Sequence, residues 1–152
     1  MRRNEKEIKD TNEMDRILAR ASVCRIAMTE GNHPYIVPVN FARDGNGLYF
    51  HSAKTGKKID MLKKNPHVCF EVDMPGGLVE NELACLWGMK YKSIIGFGTA
   101  YFIESREETI RALDLLMKKY SGRELFSYTD QALEKVLVIG IKIDNLSGKR
   151  SG

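Results

Sequence analysis

The sequence predicts a mainly β or α+β protein in which helices lie at the edges of an antiparallel barrel. At least six short segments combine apolar and β-branched residues and are separated by turn signals, which is the pattern of strands joined by hairpins. Two or three helical segments interrupt these strands without alternating with them one for one. This spacing disfavours a doubly wound parallel sheet.

The size and charge of the chain limit its class. Its 152 residues predict one domain, residues 1–152, with a core of its own. The formal net charge of +4 is too small to indicate a nucleic-acid-binding protein. No apolar run reaches the length of about 18 residues that spans a membrane, and the charged N-terminus disfavours a signal peptide. We therefore expect a cytoplasmic protein that binds neither nucleic acid nor membrane.

The three cysteines predict no metal site and no disulfide framework. Cys24, Cys69 and Cys85 are widely spaced, have apolar neighbours and form no CxxC pair. We expect them to be reduced and mostly buried, which agrees with a cytoplasmic location.

The first part of the chain predicts a helix followed by three strands. Residues 1–9 are highly charged and are expected to be frayed, and Thr11 or Asn12 is expected to cap a helix that ends near Ala21. Strands are expected at residues 23–29, 35–41 and 48–52, with hairpin turns at 30–33 and 44–47. These turns predict an antiparallel meander.

The strand at residues 35–41 has two unusual features. Its nearly continuous apolar composition predicts that both of its faces are covered. Pro38 removes one backbone donor, which predicts that the strand lies at an edge or carries a bulge.

The second part of the chain predicts two helices and three strands. Segments are expected in this order: helix 56–64, strand 68–73, loop 74–82, a long or broken strand 86–104, helix 106–120, an irregular stretch 121–129, and strand 136–143 with a polar tail. Gly88, Gly96 and Gly98 are expected bend points of the long strand. Ser105, followed by Glu108 three residues later, is expected to cap the second of these helices.

Residues 48–66 carry the strongest signal for a binding site. Lys57 and Lys58 stand at the start of the predicted helix, where the helix dipole is already positive, so each costs about 0.3–1 kcal/mol at an exposed site unless an anion binds there. Gly56 and the hydroxyls of Ser52 and Thr55 add the other features of a phosphate site. A solvated basic turn is the alternative, and the residues alone leave both interpretations open.

Other motifs give weaker signals. The run Gly96–Phe97–Gly98 has part of a dinucleotide fingerprint but lacks the third glycine and the following helix. The Gly56–Lys57–Lys58 run is similar to a Walker loop, but His51 stands where the first glycine belongs. No nucleophile elbow and no RNA-binding signature is present.

Three segments, in this order, resemble the flavin-binding split-barrel proteins of the pyridoxamine 5′-phosphate oxidase-like group: PYIVPVNF, LYFHSAKTGKKIDMLKKNPHVCFEVD and YKSIIGFGTA. Within that group the chain is most similar to the nitroimidazole-resistance (NimA-like) branch. The resemblance covers residues 23–119, and the FHSA–GKK–NP block is its most specific part. It implies a six-stranded antiparallel split β-barrel with peripheral helices, which forms a homodimer and holds FMN in clefts between the subunits.

The resemblance also implies three groups of cofactor-binding residues. The first group, beside the isoalloxazine ring, is Pro38, Val39 and Asn40. The second group, around the ribityl phosphate and the near side of the ring, is His51, Ser52, Ala53, Gly56, Lys57 and Lys58. The third group, approaching from the other side of the barrel or from the partner subunit, is Tyr91, Lys92 and Ser93. Lys92 is the candidate for tuning the flavin potential near N1, and His51 is the candidate catalytic residue.

Several of these residues have a structural alternative. Asn40 is also explained as a residue that satisfies a bulge beside Pro38, and His51 as a packed histidine at a strand end. Tyr91 is equally suited to dimer packing. The single tryptophan, Trp87, fits either beneath a barrel end or at a substrate opening.

Taken together, the residues and the resemblance imply an FMN-dependent oxidoreductase that reduces a small electrophile such as a nitro-aromatic compound. A non-catalytic protein that binds or stores flavin is one alternative. A haem-binding split barrel with His51 or His67 as axial ligand is another. The sequence leaves open the substrate, the electron donor, the redox potential, and the roles of residues 74–84 and 121–129.

Overall fold

The computed structural model describes residues 4–152. Within this range the chain forms eight strands, four α-helices and two short 3₁₀ turns. In chain order the strands and α-helices are β1 (Glu7–Ile8), α1 (Thr11–Arg20), β2 (Cys24–Glu30), β3 (His33–Val39), β4 (Ala42–Asp44), β5 (Gly47–Ala53), α2 (Lys57–Lys64), β6 (His67–Val79), β7 (Gly88–Ile103), α3 (Arg106–Ser121), α4 (Asp130–Lys135) and β8 (Val136–Ser151).

All eight strands belong to one antiparallel sheet. The strand order is β3-β2-β6-β7-β8-β5-β4, and β1 pairs with the end of β8. Six of the strands have seven or more residues, whereas β1 and β4 have two and three. The sheet is not closed, because β3 and β4 stand at its two ends. The predicted mainly β, antiparallel class with peripheral helices is therefore confirmed.

The predicted meander is wrong, although both of its hairpins form. β2 pairs with β3 and β4 pairs with β5, but β3 and β4 lie at opposite ends of the sheet. The connection between them passes through Phe41, which is fully buried and whose backbone N–H donates to the Tyr120 hydroxyl at 2.9 Å. Pro38 does lie in an edge strand, as predicted. The prediction that this strand is covered on both faces is wrong for the single chain, because no residue of β3 is buried.

The predicted loop at residues 74–82 is mostly strand. β6 continues to Val79 and pairs with the start of β7, and a shift in register between Pro75 and Leu78 absorbs the Pro-Gly-Gly sequence. β7 is continuous through Gly96. The ring of Phe70 lies against this residue: a Cβ atom added to Gly96 would be 2.2 Å from the Cζ atom of Phe70. Glycine at this position therefore makes room for a core side chain instead of breaking the strand.

Both ends of the chain are more ordered than the sequence predicts. Residues 1–3 lie outside the described residues, but Glu7 and Ile8, which were expected to be frayed, pair with β8, and Ile8 is buried. The polar tail after residue 143 continues β8 to Ser151 and pairs with β7. The N-cap residue of α1 is Asp10, whereas Thr11 or Asn12 was predicted. The carboxylate of Asp10 accepts a hydrogen bond from the backbone N–H of Asn12.

The core lies between the concave face of the sheet and helices α1 and α2. Alternate residues of β2 point into it, namely Cys24, Ile26 and Met28. The largest side chains that are almost fully buried are Phe41, Phe50, Phe70, Leu18, Ile26, Met28, Leu48, Ile59, Met61, Ile94, Ile139 and Ile141. All three cysteines are free, as expected, but Cys69 is half-buried and Cys85 is exposed.

The C-terminal end of α3 is fastened to α1 through a partly buried lysine. The Nζ atom of Lys119 donates to the backbone oxygen of Leu18 at 3.0 Å and lies 3.3 Å from the centroid of the Phe41 ring. Burial lowers the pKa of Lys119 from its ordinary value of 10.5 to about 8. The folded state therefore releases this proton at a lower pH than the unfolded chain does.

This shift predicts a pH-dependent stability. Between about pH 8 and pH 10.5 the unfolded chain binds more protons at Lys119 than the folded chain, so the free energy of unfolding should rise with pH in this window. Replacing Lys119 by Met should remove that contribution. Urea unfolding of both proteins at pH 7 and pH 9.5 tests this, and an identical pH dependence in wild type and Lys119→Met would contradict it.

Candidate functional site

The two open edges of the sheet approach each other beside α2 and α3. β3 ends at Val39 on one edge, and β5 ends at Ala53 near the other. The Nζ atom of Lys57, at the start of α2, lies 4.5 Å from the centroid of the Tyr35 ring in β3. Asn40 and His51 line the same cavity. We call this region, formed by residues 38–40 and 51–58, the seam.

The N-terminal end of α2 is open to an incoming anion. Gly56 caps the helix with a φ of 124°, a backbone conformation that favours glycine, and it provides no side-chain cap. No atom lies within 4 Å of a Cβ atom placed on Gly56. Among the described residues, no acceptor binds the backbone N–H groups of Lys57 and Lys58. Unpaired N–H groups at a helix N-terminus are the ordinary means by which proteins bind phosphate.

The two lysines of this helix start have no carboxylate partner among residues 4–152. Lys57 is exposed, whereas Lys58 is half-buried, with its Nζ atom 5.5 Å from the centroid of the Phe50 ring. Burial lowers the pKa of Lys58, and a bound anion would oppose that shift. By contrast, Lys64 at the other end of α2 forms an ion pair with Glu30. The two lysines at the start of α2 therefore form no ion pair in the described fold, although Asp60 lies in the same turn of the helix.

A cavity of about 420 Å³ opens next to the seam. It lies between β5 and α3, and its lining residues are Asn40, His51, Leu113, Leu116, Met117, Tyr120 and Tyr128. The Nδ2 atom of Asn40 is 3.4 Å from the backbone oxygen of Ser22, so this side chain supports the turn between α1 and β2. His51 is exposed on β5 opposite Val138, and its imidazole makes no hydrogen bond to any described residue.

The remaining seam residues lie at the ends of β5 and β3 and in the segment that leads into α2. Ser52 and Ala53 pair with Leu137 and Val136, and the exposed residues 54–56 then lead into α2. Pro38 and Val39 pair with Arg25 and Cys24 in β2. The first and second groups predicted from the sequence are thus brought together, and their roles toward a cofactor stay predictions.

The third predicted group lies elsewhere in the chain. Ser93 pairs with Lys149 near the end of β8, whereas Ser52 pairs with Leu137 near its start. Lys92 donates to Glu13 of α1 at 2.7 Å, and Arg150 binds the other oxygen of that carboxylate at 2.7 Å. The hydrogen bond from Lys92 lowers the pKa of Glu13. The single chain therefore does not bring Tyr91, Lys92 and Ser93 to the seam.

Two tyrosines at the cavity were missed by sequence reasoning. Tyr120 ends the apolar stripe of α3, and its hydroxyl accepts from the Phe41 N–H and donates to the Ser22 backbone oxygen at 2.8 Å. The hydroxyl of Tyr128 donates to Asp114 at 2.9 Å. Burial, together with this carboxylate, raises the pKa of Tyr128 to about 12, so its hydroxyl stays protonated. The one available signal was the helical spacing that places Tyr120 on the face of Leu113 and Met117.

Residues 4–152 contain neither a cluster of metal ligands nor a helix that could span a membrane. No three His, Cys, Asp or Glu side chains in that range converge as a metal site requires. None of the helices there combines the length and apolar character needed to cross a bilayer. His67, the other haem-ligand candidate, is exposed at the start of β6 opposite Thr99, and that role stays a prediction.

A model of the family described as pyridoxamine 5′-phosphate oxidase matches residues 10–150. The chain belongs to this family. The match spans both hairpins at the edges of the sheet, α2, α3 and nearly all of β8. The family resemblance inferred from three ordered sequence segments is therefore confirmed over almost the whole chain.

Solved structures agree with this assignment. A candidate 5-nitroimidazole antibiotic resistance protein from Bacteroides thetaiotaomicron VPI-5482 is 34% identical, with a TM-score of 0.85 over 95% of this chain and 86% of that one. An FAD-binding protein from Mesorhizobium loti is 24% identical, with a TM-score of 0.71 over 94% of this chain and 96% of that one, and shares the fold.

A curated relative adds no functional information. An uncharacterised protein from Rhizobium meliloti (strain 1021) is 38% identical over 56 residues, which is 37% of this chain. The matched segment covers 36% of the length of that relative.

Proposed function

We propose that this family member is a cytoplasmic FMN-binding protein that reduces a small electrophile such as a nitro-aromatic compound. The observation that carries the proposal is the pair of lysines without an ion-pair partner at the start of α2, next to a cavity at the open edge of the sheet. Three free cysteines agree with a reducing compartment. The likeness to a candidate nitroimidazole resistance protein at 34% identity supports the choice of electrophile.

The phosphate of FMN fits the start of α2 on chemical grounds. It carries close to two negative charges, and Lys57, Lys58 and two free backbone N–H groups offer charge-assisted hydrogen bonds. The open space at Gly56 allows the phosphate to reach the backbone. Binding would therefore remove an electrostatic penalty that the folded chain otherwise carries.

The isoalloxazine ring fits the exposed edge of β3. Six of the seven residues of this strand, from Pro34 to Val39, are apolar, and none is fully buried in the single chain. Tyr35, Val37 and Val39 are half-buried against the core, whereas Ile36 is 58% exposed. A flat apolar surface next to a phosphate site suits a ring that needs stacking area and a few polar contacts. Asn40, at the end of the strand, would supply one of those contacts.

When bound, the flavin supplies the redox chemistry. The first reduction of a nitro group takes two electrons and two protons and yields a nitroso group and water. His51 has a free imidazole at the cavity mouth, so we assign it the delivery of a proton from a ring N–H. Nonpolar side chains of α3 would keep water away from the reacting groups.

A homodimer would complete the site. The side chains of Ile95, Phe97 and Tyr101 project from the outer face of β7 and are 43%, 51% and 43% exposed, although β7 lies in the middle of the sheet. Large apolar side chains in such a position are typical of a surface that another chain covers. A second copy would also be needed to bring Tyr91, Lys92 and Ser93 near the seam, because the single chain holds them apart.

The phosphate assignment predicts that Lys57→Ala/Lys58→Ala weakens FMN binding by about 2–5 kcal/mol, the range for losing charge-assisted contacts in a buried site. The matched control is Lys63→Ala/Lys64→Ala, which removes the same charge from the other end of α2 and should change the affinity much less. Titration of the flavin-free proteins with FMN, followed by flavin fluorescence, measures both. Wild-type protein that stays colourless after FMN is added would refute the proposed function.

Catalysis and simple flavin storage differ in their response to reductants. The FMN-loaded protein should be bleached by NADH or NADPH without oxygen and should regain its colour when 2-methyl-5-nitroimidazole is added. His51→Ala should slow the recolouring step and leave FMN bound. Failure of both donors, together with no reoxidation by the nitro compound, would favour a non-catalytic flavin-binding protein.

If a homodimer buries the outer face of β7, a charged side chain placed on that face should separate the subunits. Phe97→Asp should shift the protein to the mass of one chain in sedimentation equilibrium, because a carboxylate would be buried without a partner. Leu125→Asp, at a fully exposed site on the other side of α3, is the control and should leave the mass unchanged. A monomeric wild-type protein at micromolar concentration would contradict the dimer.

A further inference from the structure

We propose that the cavity between α3 and His51 receives the electrophile, that its chemistry selects neutral, flat molecules, and that Tyr128 sets the size it accepts. This inference deepens the proposed function and rests on it. It concerns a different part of the molecule from the phosphate site, because the lining of the cavity includes neither Lys57 nor Lys58.

The lining of the cavity contains no charged side chain. Five of the seven lining residues are leucine, methionine or tyrosine from α3 and the following segment, and the other two are Asn40 and His51. Transfer of an ion into such surroundings is costly unless a partner is present, whereas a neutral aromatic ring gains by leaving water. The volume of about 420 Å³ lies within the usual range for small-molecule pockets.

The hydrogen-bonding groups of the cavity are largely occupied. The hydroxyl of Tyr120 is engaged with Phe41 and Ser22, and that of Tyr128 with Asp114. The amide of Asn40 reaches the Ser22 backbone oxygen. Among the described lining residues, His51 has no hydrogen-bond partner at either ring nitrogen, and Asn40 keeps its Oδ1 atom and one N–H. A ligand with one acceptor, such as a nitro oxygen, would therefore orient that acceptor toward the side of the cavity where His51 and Asn40 lie.

One wall of the cavity comes from the irregular stretch between α3 and α4. This stretch begins after Gly122, which ends α3 with a φ of 68°, and it is held to α3 by the hydrogen bond from Tyr128 to Asp114. Leu125, in the same stretch, has a φ of 64° and is 99% exposed. Tyr128 is therefore the point at which this stretch contacts the cavity, and the size of its ring limits the space opposite His51.

Binding of three matched probes to the full chain without FMN tests the charge and size rules. Nitrobenzene should bind at least about tenfold more tightly than 4-nitrobenzoate, because the carboxylate finds no partner in the cavity. Replacing Tyr128 by Ala should improve the affinity of 1-nitronaphthalene relative to nitrobenzene by about tenfold, since the larger ring gains the vacated space. Leu125→Ala should leave both affinities unchanged. Isothermal calorimetry measures the affinities, and circular dichroism checks that each variant is folded.

Two results would overturn the inference. One is competition between FMN and nitrobenzene for the flavin-free protein, which would assign the cavity to the cofactor. The other is an unchanged preference between the two ring sizes in a folded Tyr128→Ala protein. Because these probes are measured without flavin, a failure of FMN to bind would refute the proposed function alone and would be recognised separately.

Discussion

The hydroxyl of Tyr120 is the contact on which the arrangement of the site depends. It accepts from the backbone of Phe41 and donates to the backbone of Ser22, so it joins the end of α3 to the two turns that flank β2 and β3. The sheet has two open edges and no strand pairing closes them. Side-chain contacts from helices must therefore hold those edges in place, and Lys119 and Lys57 assist through their contacts with Phe41 and Tyr35.

The same arrangement explains why the candidate site lies where it does. Strand edges leave backbone groups and apolar side chains without neighbours, and a helix that starts at such an edge adds unpaired N–H groups. In this chain β3, β5 and the start of α2 meet at one place, with two lysines that have no carboxylate partner there. The fold therefore keeps exposed features that a closed barrel would bury, and those features suit a large anionic cofactor with a flat ring.

Local sequence signals predicted local structure well. Both hairpins, α2, and α3 with its Ser105 cap follow from turn residues, apolar spacing and capping residues that act within a few positions. The errors concern contacts between distant segments. Pro75–Gly76–Gly77 has the composition of a loop, but pairing with β7 carries the strand through it with a shift in register. The polar residues after Ile143 resemble a tail, yet they pair with β7 and support β1.

The sequence by itself predicted a candidate anion site at residues 51–58, because helix dipole, glycine and lysine act within a single turn of chain, and it left a solvated basic turn as the alternative. It also determined the antiparallel class through its turns and the family through ordered segments. Only the tertiary structure decided that β3 and β4 separate to opposite ends of the sheet, that Asn40 shares a cavity with His51, and that Tyr120 and Tyr128 line it. It also placed Lys92 against Glu13, far along β8 from Ser52. The physical reason is that these relations depend on pairing and packing between residues far apart in sequence, and such contacts leave no periodic pattern in the residues that make them.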